Sequence, residues 1–202
     1  MSEAATDARG ETRARIEQVA LDLFTLQGFE QVTIDDVAAA ARISRRTFFR
    51  CFATKADAVW GDFGAHVARL RDRLAATDPG QPVLSGVCAA YVEVNDYGDQ
   101  ALPMLRERMR LILTEPALLA HSQLRYAEVD LAVAEHVARL TATPPGALLP
   151  RLVATATRAA ATTAFEVWLA DGRARLTDSL RAAFAELAGA FPSLRTPSSA
   201  VR

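Results

Sequence analysis

One short stretch, residues 33–52, limits what this chain can fold into more than any other. It reads TIDDVAAAARISRRTFFRCF and predicts two short helices joined by a tight turn. Thr33, followed three residues later by Asp36, forms a capping box with an acid in the second place, so a helix should begin there. Ser44 is a second N-cap, because its hydroxyl can accept from backbone N–H groups at the start of the next helix. Two capped helices around a turn predict a helix-turn-helix.

The outward face of the second helix indicates what it binds. Phe48 and Phe52 are four residues apart and should face the core, which leaves mainly arginine and threonine outside. A helix of two turns is not stable alone. This surface suits a helix whose N-terminal end enters the major groove, where we expect Arg45 and Thr47 to reach base edges. The predicted DNA contacts are Thr33, Ser44, Arg45, Arg46, Thr47, Phe49, Arg50 and Lys55.

Positive charge is local in this chain. Its 202 residues carry a net charge of −1, which argues against a generally basic coat for nucleic acid. Residues 42–55 nevertheless contain five basic residues and no acid. Such a run is often only a solvated face, but its place on a capped pair of helices favours DNA. Among the predicted DNA contacts, Thr33, Arg50 and Lys55 are better placed to bind phosphates than to reach base edges. Arg13, near the start of the preceding helix, either touches a phosphate or belongs to a solvated helix end.

The segment TIDDVAAAARISRRTFFRCFATK, residues 33–55, resembles the DNA-binding segment of the TetR family of bacterial regulators. The helix before it, residues 11–28, resembles the first helix of that family. The resemblance implies that the first third of the chain binds an operator. Two positions depart from the family pattern. Arg42 stands where a glycine is usual, so the turn must accept a side chain under some strain. Phe49 stands where a tyrosine is usual and lacks the hydroxyl that would reach a phosphate.

Helical periodicity continues to the end of the chain, without an alternating strand pattern. We predict an all-α fold, with an N-terminal three-helix helix-turn-helix domain followed by a C-terminal helical domain for ligand binding and dimerisation. Besides the two short helices, the predicted helices span residues 9–28, 54–76, 83–96, 102–113, 116–141, 147–171 and 176–190.

The predicted division follows the breaks between these helices. It comprises residues 1–53 for an N-terminal arm and the DNA-binding domain, 54–76 for a linking helix, 77–191 for ligand binding and dimerisation, and 192–202 for a disordered tail. The polar residues 1–10 are also expected to be disordered. The linking helix is predicted to be continuous, because Trp60, Phe63 and Val67 keep helical spacing along it.

The C-terminal helices combine apolar, aromatic and cationic side chains, which predicts a site for a small amphipathic ligand. A single aromatic residue is more often core than pocket wall, and a structural ion pair explains Arg110 or His121 equally well. The candidate ligand-binding residues are Phe63, Tyr91, Arg106, Met109, Arg110, His121, Arg125, Phe165 and Trp168.

The last two predicted helices have broad apolar faces, which predicts that they pair with the same helices of a second copy. Ala160 and Phe184 are expected in that seam. A wide internal core is the alternative.

Three further segments narrow the resemblance. WGDFGAHVARLR (residues 60–71), MRLILTEPALLAHSQLRYAEVD (109–130) and FEVWLAD (165–171) resemble the TetR-type regulators that accompany mycofactocin biosynthesis genes. The resemblance implies a homodimeric repressor of such genes with an acyl-CoA-like effector.

Other function classes find little support. The chain has none of the HExxH, GxSxG or P-loop motifs, and its three histidines lack metal-ligand spacing, so we expect no catalytic residue, metal or cofactor. Cys51 and Cys88 form no disulfide framework. Without a signal peptide or a membrane-length apolar run, the protein is expected in the cytoplasm. The alternative is an all-helical lipid or acyl-thioester binding protein or enzyme whose N-terminal helices do not act on DNA.

Overall fold

The computed structural model describes residues 2–190 and the side chains of residues 10–189. Within that part of the chain it contains ten α-helices and no strand, which confirms the all-α prediction. The helices are α1 Ser2–Gln27, α2 Ile34–Ala40, α3 Arg45–Cys51, α4 Lys55–Trp60, α5 Phe63–Ala75, α6 Val83–Val94, α7 Leu102–Thr114, α8 Pro116–Thr141, α9 Leu148–Ala170 and α10 Leu176–Ala190. The predicted tail, residues 192–202, lies outside the described residues.

The helices from α6 onward match the predicted ones to within two residues at each end. The N-terminus differs, because α1 begins at Ser2 and the prediction of a disordered start is wrong for residues 2–10. Glutamate and alanine, the residue types at positions 3–5, have high helix propensity.

Contacts within the chain divide it into two compact units. The first contains the residues up to Asp62 together with Asp99–Ser122, so α7 and the first turns of α8 lie with α1–α4. Helix α1 packs against α2, α4 and α7, and α2 packs against α3. The side chains buried in this core include Ile16, Leu21, Phe24, Phe48 and Phe52. These structural units do not test the predicted division of the chain into DNA-binding, linking and ligand-binding segments, which stays a prediction.

The second unit contains Phe63–Gly98 and the chain from Gln123 onward. Helices α9 and α10 form its most extensive contact, and α6 packs against α5, α9 and α10. Phe184 is buried, with its ring centre 5.6 Å from that of Tyr91. The prediction that Phe184 lies in a seam with a second copy is therefore wrong, because this face of α10 covers α6 of the same protomer.

The predicted continuous helix over residues 54–76 is also wrong, because two helices occupy this range. Helix α4 ends at Trp60, its C-cap Gly61 adopts φ 61° and ψ −143°, and α5 begins two residues after that glycine. A side chain could not replace this glycine easily. A Cβ atom there would lie 2.8 Å from Arg108 Nη1 and 2.9 Å from Glu17 Oε2. The positive φ favours glycine at this position, and a side chain there would also have to displace the ends of the Arg108 and Glu17 side chains.

The turn of the helix-turn-helix has the strain that its sequence predicts. Arg42 adopts φ 53°. Its N–H donates to the carbonyl of Ala39 at 3.1 Å, and the N–H of Ile43 donates to that of Ala38 at 2.9 Å. These two bonds form a Schellman motif, in which the left-handed residue is usually glycine. An arginine therefore holds a glycine position here, at a cost of about 1–2 kcal/mol for the left-handed backbone.

Candidate nucleic-acid interface

Both predicted N-caps are present and fix where the two short helices begin. The Asp36 carboxylate accepts from the Thr33 N–H at 2.8 Å and from the Thr33 hydroxyl at 2.6 Å, and the Asp36 N–H donates to Thr33 Oγ1 at 3.2 Å. These bonds lower the pKa of Asp36. Ser44 accepts from the Thr47 N–H at 3.0 Å, and the two hydroxyls lie 2.9 Å apart. The caps make the first turn of each helix rigid.

The inner face of α3 anchors it to the first unit. Phe48 and Phe52 are both buried, with ring centres 5.5 Å apart. At the C-terminal end, Arg13 Nη1 donates to the carbonyl of Cys51 at 2.7 Å, and the Arg13 guanidinium lies 4.4 Å from the centre of the Phe52 ring. Because these contacts fix one face, α3 presents the opposite face outward.

That outward face carries the predicted base-reading side chains. Arg45, Arg46, Phe49 and Arg50 are exposed, and Thr47 is partly exposed. Arg45 Nη1 donates to Asp35 Oδ2 at 2.8 Å, and its guanidinium carbon lies 5.4 Å from the centre of the Phe49 ring. Such an array, with cations on an exposed capped helix, can bind phosphates and guanine edges.

Lys55 has internal partners that its position in the sequence did not indicate. Its ammonium donates to the carbonyl of Phe29 at 2.6 Å and to that of Val32 at 3.0 Å. It also lies 4.2 Å from the centre of the Phe29 ring. These bonds satisfy carbonyls of the segment between α1 and α2 and give Lys55 a structural role. Its predicted phosphate contact stays a prediction.

Sequence reasoning missed the cluster of charges around the end of α4. Arg13 Nη2 donates to the carbonyl of Gly61 at 2.8 Å, and Arg13 Nε donates to Glu17 Oε1 at 3.1 Å. Glu17 Oε2 accepts from Arg108 Nη2 at 3.0 Å. Arg13 is therefore not a solvated helix end, because all three guanidinium nitrogens have partners within the first unit; its phosphate contact stays a prediction. The four-residue spacing of Arg13 and Glu17 on α1 was the signal in the sequence, but nothing there indicates Arg108 as the third member.

The nine candidate ligand-binding residues lie in both units. Arg106, Met109, Arg110 and His121 belong to the first unit, and Phe63, Tyr91, Arg125, Phe165 and Trp168 belong to the second. Their assignment to one pocket stays a prediction. For His121 the ion-pair alternative has support, because its Nε2 lies 3.7 Å from Asp57 Oδ1.

The candidates of the second unit differ in accessibility. Tyr91 and Trp168 are buried, Phe165 packs edge-on against Trp168 at 6.2 Å between ring centres, and Arg125 lies 3.9 Å from Glu128. Burial raises the pKa of Tyr91, so its phenol stays protonated. In the same unit, Arg158 Nε on α9 donates to Asp130 Oδ1 on α8 at 2.8 Å.

The described residues contain no cluster of three or more histidine, cysteine or acidic side chains that could hold a metal ion. Burial raises the pKa of the Cys88 thiol to about 12, so this cysteine is a poor nucleophile at neutral pH. Nor is any helix between residues 2 and 190 both long and apolar enough to span a bilayer.

Comparisons with known proteins agree with this geometry. The family described as bacterial regulatory proteins, tetR family, matches residues 16–58, and the family described as MftR C-terminal domain matches residues 81–192. A protein of Mycobacterium tuberculosis named for the regulation of mycofactocin biosynthesis, MftR, is 38% identical over 176 residues, which cover 87% of this chain and 89% of the relative.

Solved structures share the fold. That of FadR from Thermus thermophilus, a TetR-family repressor in complex with lauroyl-CoA, has a TM-score of 0.57 at 18% identity and covers 94% of this chain and 99% of its own. SmeT, the repressor of a Stenotrophomonas maltophilia multidrug efflux pump, in complex with triclosan has a TM-score of 0.65 at 16% identity, with coverages of 95% and 98%.

A capped helix pair with an exposed arginine-rich second helix, carried on an all-helical chain, defines a helix-turn-helix transcriptional regulator. The chain belongs to the TetR family of bacterial regulatory proteins, with a C-terminal domain of the MftR type.

Replacing Arg45 and replacing Lys55 by alanine should have different effects on stability and on DNA binding. Arg45→Ala should leave the free energy of unfolding within about 0.5 kcal/mol of wild type. It should weaken operator binding by about 1–3 kcal/mol and relax sequence preference, if the guanidinium reads a guanine. Lys55→Ala should lower the free energy of unfolding by about 1–3 kcal/mol, because two charge-assisted bonds are lost. Urea titration and gel shifts measure the two quantities.

Lys55→Met is the matched control, since it keeps the aliphatic stem against Phe29 and removes only the ammonium. It should be almost as destabilised as Lys55→Ala. If both variants are as stable as wild type and only the salt dependence of DNA binding becomes shallower, then phosphate contact is the main role of Lys55.

Proposed function

We propose that this protein is a dimeric repressor that binds a two-fold operator and releases it when a small amphipathic effector binds. The observation that carries the proposal is the exposed face of α3, with Arg45, Arg46 and Arg50 around Phe49 on a helix capped at one end and anchored at the other. A monomer presents one such helix. Two of them, about 34–36 Å apart, would read two half-sites one turn of DNA apart.

Similarity to known proteins supports a proposal for the target genes and the compartment. The similarity to a protein named for mycofactocin regulation supports control of mycofactocin-related genes. Operator DNA is in the cytoplasm of a bacterium, and the protein is proposed to act there.

The second copy is proposed to pack on the outer face of α9 and α10. Leu152 and Val167 of α9 are 44% and 55% exposed in the protomer, and Ala159 and Thr163 lie between them on the same side. Small exposed residues on α10 would allow another helix to pack closely against it. They are Ala182, Ala185 and Gly189. An exposed apolar stripe of this length suits an isologous four-helix contact.

A charge in this stripe should separate the protomers without unfolding them. Leu152→Glu and Val167→Glu place a carboxylate where the protomer alone leaves it in water, but where a dimer would bury it unpaired. We expect a well-folded monomer in size-exclusion chromatography at micromolar concentration, with greatly reduced operator affinity. Gln100→Glu, an exposed site in the first unit, controls for the added negative charge and should remain dimeric. A monomeric wild type would contradict the proposed assembly.

The effector is proposed to be an acyl thioester. The support is twofold: a TetR-family repressor of the same fold binds lauroyl-CoA, and the candidate residues of the second unit combine aromatic side chains with the cation of Arg125. An apolar chain with an anionic head is the ligand that such side chains complement. Release requires only that the effector bind one conformation better than the other.

Titration of acyl-CoAs into the protein–operator complex tests the whole proposal. The probe is the DNA upstream of the protein's own gene, and acyl-CoAs of several chain lengths are compared with free coenzyme A and with the corresponding fatty acids. A coupling of about 1–3 kcal/mol would weaken DNA binding by about 5–150-fold. We expect release by acyl-CoAs above some chain length and little by either control. If the DNA binds but no acyl-CoA releases it at saturating concentration, the effector class is wrong. If the DNA does not bind, the repressor proposal itself fails for this promoter.

A further inference from the structure

Phe49 is an unusual residue for a helix surface that meets DNA. Its side chain is 43% exposed, and its outward neighbours on α3 are arginines. It has no hydroxyl to donate to a phosphate. The exposed ring of Phe49 can therefore form no hydrogen bond with the DNA backbone.

Two neighbours hold the ring in place. Phe48, which is buried, meets it edge-on with ring centres 5.7 Å apart and planes at 88°. The guanidinium carbon of Arg45 lies over the ring, 5.4 Å from its centre. Since Arg45 is also bound to Asp35 on α2 at 2.8 Å, both side chains are oriented before DNA arrives.

The spacing of the pair fits that of base pairs. Residues four apart on a helix lie on the same face, about 6 Å apart along its axis, and stacked base pairs are about 3.4 Å apart. Arg45 and Phe49 would therefore face bases that lie within two base pairs of each other. Arginine pairs with the O6 and N7 atoms of guanine, and the apolar group that the major groove offers is the C5-methyl of thymine.

We propose that Phe49 is a specificity-determining residue that reads the methyl group of a thymine within two base pairs of the guanine bound by Arg45. The inference rests on the proposed operator binding. It assigns to each half-site a thymine whose recognition depends on shape and apolar contact, with no hydrogen bond involved. Phe49→Ala should then abolish preference for that thymine, whereas Phe49→Tyr, which keeps the ring, should retain it.

The test replaces thymine by deoxyuridine in the DNA upstream of the protein's own gene. Uracil keeps every hydrogen-bonding atom of thymine and lacks only the methyl group. After footprinting, each thymine in a protected half-site is replaced in turn, with the matching change in the other half-site, and affinity is measured by gel shift at one salt concentration. Wild type should lose about ten- to twentyfold at one position, the scale expected when one buried methyl group is removed from each of two half-sites. Phe49→Ala should bind the thymine and uracil versions equally.

Arg46→Ala is the matched control on the same helix. It should bind both versions more weakly but keep the difference between them. If wild type binds the DNA and no replacement weakens binding, or if Phe49→Ala still discriminates, the inference is overturned while the proposed repressor function stands. If Phe49→Ala binds no DNA, Phe49→Leu, with a smaller apolar side chain, must show a reduced but measurable preference. If wild type itself does not bind, the proposed function fails and the inference with it.

Discussion

The side chain of Arg13 connects three helices of the first unit. Its three guanidinium nitrogens bind the carbonyl of Cys51 at 2.7 Å, the carbonyl of Gly61 at 2.8 Å and the carboxylate of Glu17 at 3.1 Å. The flat face of the guanidinium lies over Phe52. Arg13 thus connects α1 to the last residue of α3 and to the end of α4. A rigid, forked donor can do this, whereas a lysine could not bind all three acceptors with the same geometry.

The neighbours of Arg13 extend this connection to α7. Glu17 lies between Arg13 and Arg108, and its side chain is only 12% exposed. A carboxylate this poorly hydrated is tolerated because two cations flank it, and removal of either one would leave a poorly compensated charge. A Cβ atom at position 61 would lie against Arg108 and Glu17 of the same cluster, so these two side chains would have to shift. The break between α4 and α5 lies at Gly61, whose positive φ favours glycine.

Local signals made much of this fold predictable. Thr33 with Asp36 and Ser44 with Thr47 form the caps that their spacing indicates, and α8 begins at Pro116 and ends at Thr141 as predicted. The break at Gly61 was not predictable in this way, because the apolar spacing of Trp60, Phe63 and Val67 continues across it. Arg13 and Arg108, which surround that break, lie 48 and 47 residues away in the chain. The internal bonds of Lys55 were missed for the same reason, since a sequence shows its charge but not the carbonyls that it meets.

The central claim, that Arg13 holds the recognition helix α3 in its presented position, is tested most directly by amide hydrogen exchange of residues 45–51 in Arg13→Lys. The substitution keeps the charge and removes the fork. Arg15→Lys, at an exposed site on the same helix, is the control. We predict that exchange across α3 accelerates about tenfold or more in Arg13→Lys, corresponding to a loss of about 1.4 kcal/mol in local stability, and is unchanged in the control. Unchanged exchange across α3 in Arg13→Lys would contradict the account.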